Sequence, residues 1–149
     1  SSAQGICALL FGDDSTLLLN ELQQRFAAAE LHADDTGLGD SLRQVLTQLS
    51  EPQRAAQLPL DIRGTAFQQQ VWRALQQIPL GQTRNYAELA AQIDSHPRAV
   101  ARACASNPLG LLVPCHRVIA SNGSLSGYRW GLARKATLLK GEAAPPKVQ

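Results

Sequence analysis

Cys115, His116 and Arg117 are the residues best placed to do chemistry. They interrupt a run that is otherwise apolar: Leu109, Gly110, Leu111, Leu112, Val113, Pro114, then Val118 and Ile119 beyond. A thiol flanked by an imidazole and a guanidinium sits in the electropositive setting that lowers a cysteine pKa, so a nucleophilic Cys115 is the first expectation. Pro114 fixes the backbone just before the sulfur. If the segment is helical, adjacent side chains diverge by about 100°, and Cys115 and His116 would communicate through a bridging water. The competing reading of any Cys-His pair is a core cysteine beside a surface histidine. Cys7 and Cys104 are read as small packing residues of that kind.

Other cysteine chemistries fit less well. A Cys/His hydrolase needs its histidine on a distant element, with an orienting group and an oxyanion hole. His32 falls in a predicted loop and His96 in a predicted turn, with nothing to mark either as a partner. Three cysteines without a CxxC pair argue against a disulfide scaffold and a zinc ribbon. No metal and no cofactor are expected.

The elements that must position the thiol can be read from periodicity. Residues 5–11 form a short apolar, strand-like run ending at Gly12. Asp14 or Ser15 then caps a helix with Leu18, Leu19, Leu22 and Phe26 on one face. Residues 32–40 read as a loop, and residues 41–49 as a helix facing inward through Leu42, Val45, Leu46 and Leu49. Pro52 and Pro59 punctuate a linker, with residues 58–62 a candidate edge strand. Thr65 opens a helix bearing Phe67, Val71, Trp72, Leu75 and Ile78 on one stripe. A short helix follows from Thr83 to Ile93, with Tyr86, Leu89, Ala90 and Ile93 inward. A turn at 94–97 leads into a second helix, residues 98–107. Two short helices joined by a tight turn make a helix-turn-helix pattern. Arg98 and Arg102 share a face of the second helix, and its remaining side chains are small enough for a close approach to another surface.

The charge is unevenly placed. Residues 1–60 carry three Arg or Lys against eight Asp or Glu, and residues 61–149 carry eleven against four. A basic half beside an acidic half suggests that one half faces a polyanion. With 149 residues, 44% hydrophobic and 17% charged, the chain can bury a core and is not disordered by composition. No apolar run approaches the roughly 20 residues that span a bilayer, and no secretory signal opens the chain. A cytoplasmic protein is expected. Methionine is absent even from position 1, so a piece of a longer chain is expected as well.

At this point the residues carry a resemblance. Val113-Pro114-Cys115-His116-Arg117-Val118 matches the PCHRV active-site motif of the O6-alkylguanine-DNA alkyltransferases. The likeness continues through Asn122, Gly123, Ser124, Leu125, Ser126, Gly127, Tyr128, Arg129, Trp130 and Gly131 to Lys135, Leu138 and Leu139. Upstream it takes in Phe67, Gln68, Gln69, Gln70, Val71, Trp72, Tyr86, Arg98, Asn107 and Pro108. Residues 58–142 match densely and residues 5–50 more loosely, and within the family the chain resembles the methyltransferase half of the adaptive-response proteins.

The resemblance implies direct-reversal repair. An alkyl group on O6 of guanine, or less well on O4 of thymine, passes irreversibly to Cys115, once per molecule. It implies His116 as a base acting through water, Glu142 as its orienting acid, and Asn107 as the brace between recognition helix and active site. Tyr86 falls near the extruded base and the DNA phosphate. Arg98 falls at the finger that fills the base stack, with Ala99, Arg102 and Thr83 also against DNA. Pro114, Val118, Tyr128, Arg129 and Trp130 would line the base pocket, where the bulk of Trp130 would disfavour large alkyl groups. The implied partner is double-stranded DNA containing O6-alkylguanine, entered through the minor groove by a monomer. The implied fold is α+β: an acidic N-terminal strand and helix domain, residues 1–57, on a helical C-terminal domain, residues 58–149, with a winged helix-turn-helix.

Three departures from the family pattern stand out. The strand hairpin that precedes residues 5–11 in relatives has no counterpart in residues 1–4, so an incomplete sheet is expected. The spacing from Tyr86 to Arg98 is about two residues short, so a remodelled turn at residues 94–97 is expected, with Arg102 as the substitute candidate for the finger. The upstream zinc domain of the regulatory relatives is missing from these residues. Two rival functions remain, a lesion binder without catalysis and a transcription regulator using the same helix-turn-helix. Cys115 argues against the first.

Overall fold

The computed structural model describes residues 1–54, 57–125 and 127–143. Ser126 of the quoted motif and the Pro-rich end at Ala144, Pro145 and Pro146 lie outside them.

Four polar side chains decide where helices begin. Asp14 accepts from the Thr16 and Leu17 amides and opens α1 (Ser15–Arg25). A reciprocal capping box between Thr65 and Gln68 opens α3 (Ala66–Gln76). Asn85 accepts from the Glu88 amide and opens α4 (Tyr86–Gln92). His96 accepts from the Arg98 amide through Nδ1 and opens α5 (Pro97–Ala105), with Pro97 in the first turn, where its missing N–H costs nothing. Two more helices, α2 (Gly39–Ser50) and α6 (Leu132–Ala143), complete the helical set among the described residues.

The core gathers around α3. Val71, Trp72, Leu75 and Ile78 are buried against Leu89 and Ala90 of α4 and Val100, Ala103 and Cys104 of α5. Full burial of side chains this size stabilises by about 1.5–3 kcal/mol each. The Trp72 indole N–H donates to the Ala103 carbonyl at 2.9 Å, which pins α5 to α3. Asp94, with φ of 53°, turns the chain between α4 and α5, a conformation that aspartate tolerates better than most residues.

One sheet runs through the described residues, a parallel pair of β1 (Arg84–Asn85) and β2 (Val118–Ile119). It replaces the start of the helix expected from Thr83. Asn85 is the cap of α4, so the chain cannot be helical before it and pairs with the segment after Cys115 instead. That pairing brings Tyr86 alongside the thiol. Residues 5–11 are extended, as the apolar run suggests, but they make single bridges: Ile6 to Leu60 and Leu9 to Leu109. Gly5, at φ of 146°, places its Cα so close to the 59–60 backbone that an added Cβ would lie 2.4 Å from the Pro59 oxygen. Only glycine fits there.

The N-terminal helices bury less than their periodicity predicts. Leu18, Leu22 and Phe26 of α1 are half-buried, and Leu19 faces out. In α2 only Val45 is buried, while Leu42, Leu46 and Leu49 are exposed, because α2 meets α6 and the 3₁₀ turn Pro52–Arg54 along one edge. The helix α6, which periodicity does not single out, packs against the turn that bears the thiol. No helix among the described residues is long and apolar enough to cross a membrane.

Candidate active site

Leu109, Val113 and Val118 anchor the chemical segment in the core, and this burial sets the environment of the thiol. Leu111 adopts φ of 68°, and the Val113 amide bonds back to the Leu109 carbonyl at 2.9 Å, so the run curls instead of extending. Pro114 then leads into a single 3₁₀ turn, Cys115–Arg117. In that turn adjacent side chains leave in different directions. Cys115 points toward a cavity while His116 and Arg117 point toward α6.

Asn107, wholly buried at the end of α5, holds the thiol in place. Its Nδ2 donates to the Val113 carbonyl at 2.8 Å and lies 3.3 Å from Cys115 Sγ. Its Oδ1 accepts from the Leu109 amide at 2.9 Å.

On the other side, His116 Nε2 meets Glu142 Oε1 at 2.7 Å. Arg117 closes on the same carboxylate, from Nε to Oε2 at 3.0 Å and from Nη2 to Oε1 at 2.9 Å, and its Nη1 donates to the Ile78 carbonyl. Burial alone would raise the Glu142 pKa. Hydrogen bonds from His116 and Arg117 outweigh it and hold the carboxyl below its usual range. His116 Nδ1 has no hydrogen-bond partner among the described residues.

The expectation of a lowered thiol pKa is overturned. Burial pushes Cys115 up to about 11, and the Asn107 hydrogen bond and the charge of Lys135 offset only part of it. The reason is geometric: Arg117 spends its charge on Glu142, away from the sulfur. The resting group at neutral pH is a thiol.

A cavity of about 310 Å³ opens on Cys115, lined also by Tyr86, Ala101, Cys104, Ala105, Gly127, Tyr128 and Arg129. Burial pushes Tyr86 up to about 12 and raises Tyr128 as well, so both hydroxyls keep their protons. The Tyr128 O–H has no partner among the described residues. Arg129 lies with its guanidinium carbon 5.1 Å from the Trp130 ring centroid and donates to the Asn107 carbonyl at 2.9 Å.

Of the residues expected at the site, the structure thus brings Tyr86, Tyr128 and Arg129 around Cys115, with Asn107, His116 and Glu142 behind it. Trp130 does not line the cavity. It is buried behind Tyr128, edge-on to it and to Phe11 at centroid distances of 5.4 and 5.5 Å. Val118 is fully buried, and its carbonyl accepts from Lys135. Pro114 borders a separate groove, of about 560 Å³, with Leu58, Leu60, Leu111, Leu112 and Arg117. On α5, Arg98 and Arg102 are exposed and Ala99 is half-buried, while Thr83 is exposed ahead of β1. His96 is a helix cap and His32 an exposed partner of Glu30, so neither approaches the thiol as a hydrolase would require.

Lys135 is a site residue that its sequence context does not announce. It is wholly buried on α6, where its Nζ donates to the Val118 and Gly127 carbonyls at 2.5 and 3.1 Å. Leu138, Leu139 and Glu142 follow it at three, four and seven residues, the spacing of one helix face, and that face turns inward; this is the signal that could have found it. Cys104 is a packing residue as expected and also a wall of the cavity; burial pushes its thiol up to about 12. Among the described residues no cluster of three or more His, Cys, Asp or Glu converges as metal ligands would.

The thiol thus faces a small cavity and is backed by a histidine–carboxylate pair, beside two short helices joined by a tight turn. Residues 66–144 match the 6-O-methylguanine DNA methyltransferase, DNA binding domain. The bifunctional transcriptional activator/DNA repair enzyme Ada of Escherichia coli (strain K12) is 52% identical over 144 residues, covering 95% of this chain and 41% of that protein. The methylated-DNA--protein-cysteine methyltransferase of Mycobacterium tuberculosis (strain ATCC 25618 / H37Rv) is 40% identical over 136 residues, covering 88% of this chain and 82% of the relative. The crystal structure of Mycobacterium tuberculosis OGT in complex with DNA superposes with a TM-score of 0.66 at 44% identity, over 69% of this chain and 65% of that one. The chain belongs to the 6-O-methylguanine DNA methyltransferase family. It spans about two-fifths of the length of Ada.

Proposed function

We propose that this chain repairs DNA by direct reversal, moving an alkyl group from O6 of guanine to Cys115 Sγ. The observation that carries this reading is the cavity where Cys115 stands with Tyr86 and Tyr128 among its walls and the buried His116–Glu142 pair behind it. The raised thiol pKa makes a base necessary at neutral pH. His116 suits that role, because Glu142 holds Nε2 and Nδ1 is left to take the proton through a water. Sulfur then forms a bond to the alkyl carbon as the carbon–O6 bond breaks. The departing guanine needs a proton, and Tyr86, which keeps its own at neutral pH, is positioned to give one. One proton leaves the thiol and one enters the base, so charge balances. A thioether is not displaced by water, and each molecule therefore reacts once.

A modified guanine in a duplex is out of reach of a buried sulfur. Extruding it costs a few kcal/mol of stacking, which an inserted side chain partly offsets. The exposed Arg98, with Arg102 one turn on, and the small residues Ala99 and Ala101 between them support minor-groove entry by α5. We read residues 1–57 and 58–149 as two parts, supported by the change in charge sign and by the family match beginning at residue 66. The protein acts as a monomer. Its three cysteines are free, in keeping with the reducing cytoplasm.

The test is intact and peptide mass spectrometry after mixing the protein with one equivalent of duplex containing O6-methylguanine. A gain of one methylene on the Cys115 peptide, saturating at one per molecule, is the expected result. Tight lesion binding with no mass change would replace this reading with that of a recognition protein.

A further inference from the structure

Three charged contacts run from the N-terminal part to the segments that wall the Cys115 cavity. Arg25 Nη2 donates to the Ser106 carbonyl at 2.7 Å, beside Asn107. Asp13 pairs with Arg134 at 3.0 Å, and Arg134 donates to the Trp130 carbonyl. Between them, Glu21 of α1 pairs with Arg129, itself part of the cavity wall. Arg129 is thereby held from three directions: by the Glu21 carboxylate, by the Asn107 carbonyl and by the face of Trp130. The same Asn107 touches the reacting sulfur. Glu21 lies 45 residues before the start of the family match, outside the region that defines the family's domain.

We propose that Glu21 is a positioning residue for alkyl transfer. It fixes the Arg129 guanidinium against Trp130 and Asn107, and so keeps the 127–130 wall at the distance from Cys115 that the reaction needs. The inference rests on the alkyl-transfer reading above. A partly exposed ion pair contributes little to stability, so the fold does not depend on it. Displacement of a reacting geometry by about 1 Å, by contrast, can slow a reaction by up to about a hundredfold.

The experiment compares wild type, Glu21→Gln, Glu21→Asp and the control Glu30→Gln, whose exposed carboxylate pairs with His32. Single-turnover methylation of Cys115 by duplex O6-methylguanine is followed over a range of DNA concentrations, at low and high salt. For Glu21→Gln the saturating transfer rate should fall about tenfold, with the half-saturating DNA concentration and the unfolding midpoint unchanged. Glu21→Asp should recover most of the rate, and Glu30→Gln should match wild type. High salt should slow the saturating rate of wild type and leave that of Glu21→Gln unaltered. Wild-type transfer rates in Glu21→Gln overturn the proposal. So does a loss shared equally by Glu21→Asp and accompanied by a lowered midpoint, since that describes loosened packing of α1. If wild type itself leaves Cys115 unmodified, the alkyl-transfer reading fails first.

Discussion

Asn107 holds Cys115 by its sulfur and by its backbone approach at once: one Nδ2 reaches both Sγ and the Val113 carbonyl, while Oδ1 takes the Leu109 amide. The end of α5 and the reactive turn are therefore tied together, and a displacement of α5 is transmitted to the thiol.

Replacing Asn107 with alanine leaves the Leu109 amide buried without its partner, at about 1–3 kcal/mol, and takes one of two donors from the Val113 carbonyl, which keeps the Cys115 amide. The expected loss is about 2–4 kcal/mol, measured by urea unfolding. The same variant removes a hydrogen bond that favours the thiolate, so the pH at which Cys115 reacts with a small alkylating agent should move upward. An unchanged pH profile would show that the amide supports the fold alone.

Glu142 connects stability to acid. Folded, its carboxyl titrates below the usual range, whereas in the unfolded chain it titrates near 4.3. The folded state thus binds fewer protons across that interval. Its stabilising effect is complete above the unfolded value and is lost as pH falls through the folded one. Thermal midpoints of wild type should drop more steeply below pH ~5 than those of Glu142→Gln. Removing the side chain altogether, in Glu142→Ala, leaves Arg117 and His116 buried without their partner, a loss of about 3–5 kcal/mol.

Arg98→Ala separates the DNA role from the chemical one. The side chain is exposed at the start of α5, so stability should change by less than about 0.5 kcal/mol. Repair of duplex DNA should fall by at least about tenfold, equivalent to about 1.4 kcal/mol. Reaction with the free modified base should be untouched. Equal losses on both substrates would remove Arg98 from the finger position and point to Arg102.

Trp130 acts on the cavity from behind. Its ring supports Tyr128 and meets Phe11 edge-on, close to Gly110, where an added Cβ would meet the Trp130 ring at 3.0 Å. Trp130→Gly should cost about 3–5 kcal/mol, as large-to-small changes in cores do. By freeing Tyr128 it should also speed reaction with O6-benzylguanine relative to O6-methylguanine. A constant ratio of the two rates would show that Tyr128 keeps its place unaided.

The helices around the thiol are legible in the sequence because their caps and their periods agree: Thr65 with Gln68 at the start of α3, and Val71, Trp72 and Leu75 along it. The reactive segment is legible for a simpler reason, three polar residues standing in an apolar run. The protonation state of the thiol is not. Sequence places Arg117 beside Cys115, and only the folded chain shows the guanidinium turned to Glu142. Two-residue strands have no period to read, so the β1–β2 pairing could not be anticipated. Lys135 and the contact between Glu21 and Arg129 join positions far apart in the chain, and charge alone does not say which partners meet. The α2 leucines mislead in the opposite sense, because a helical stripe reports the capacity for burial and not the neighbour that provides it.

The partner of His116 lies in the last described helix, 26 residues downstream of the imidazole. During synthesis on the ribosome, α3, α4, α5 and the cysteine turn leave the exit tunnel before α6. A nascent chain therefore presents His116 beside its sulfur with no carboxylate to hold the imidazole, and the buried pair behind the thiol is assembled only when translation has passed Glu142.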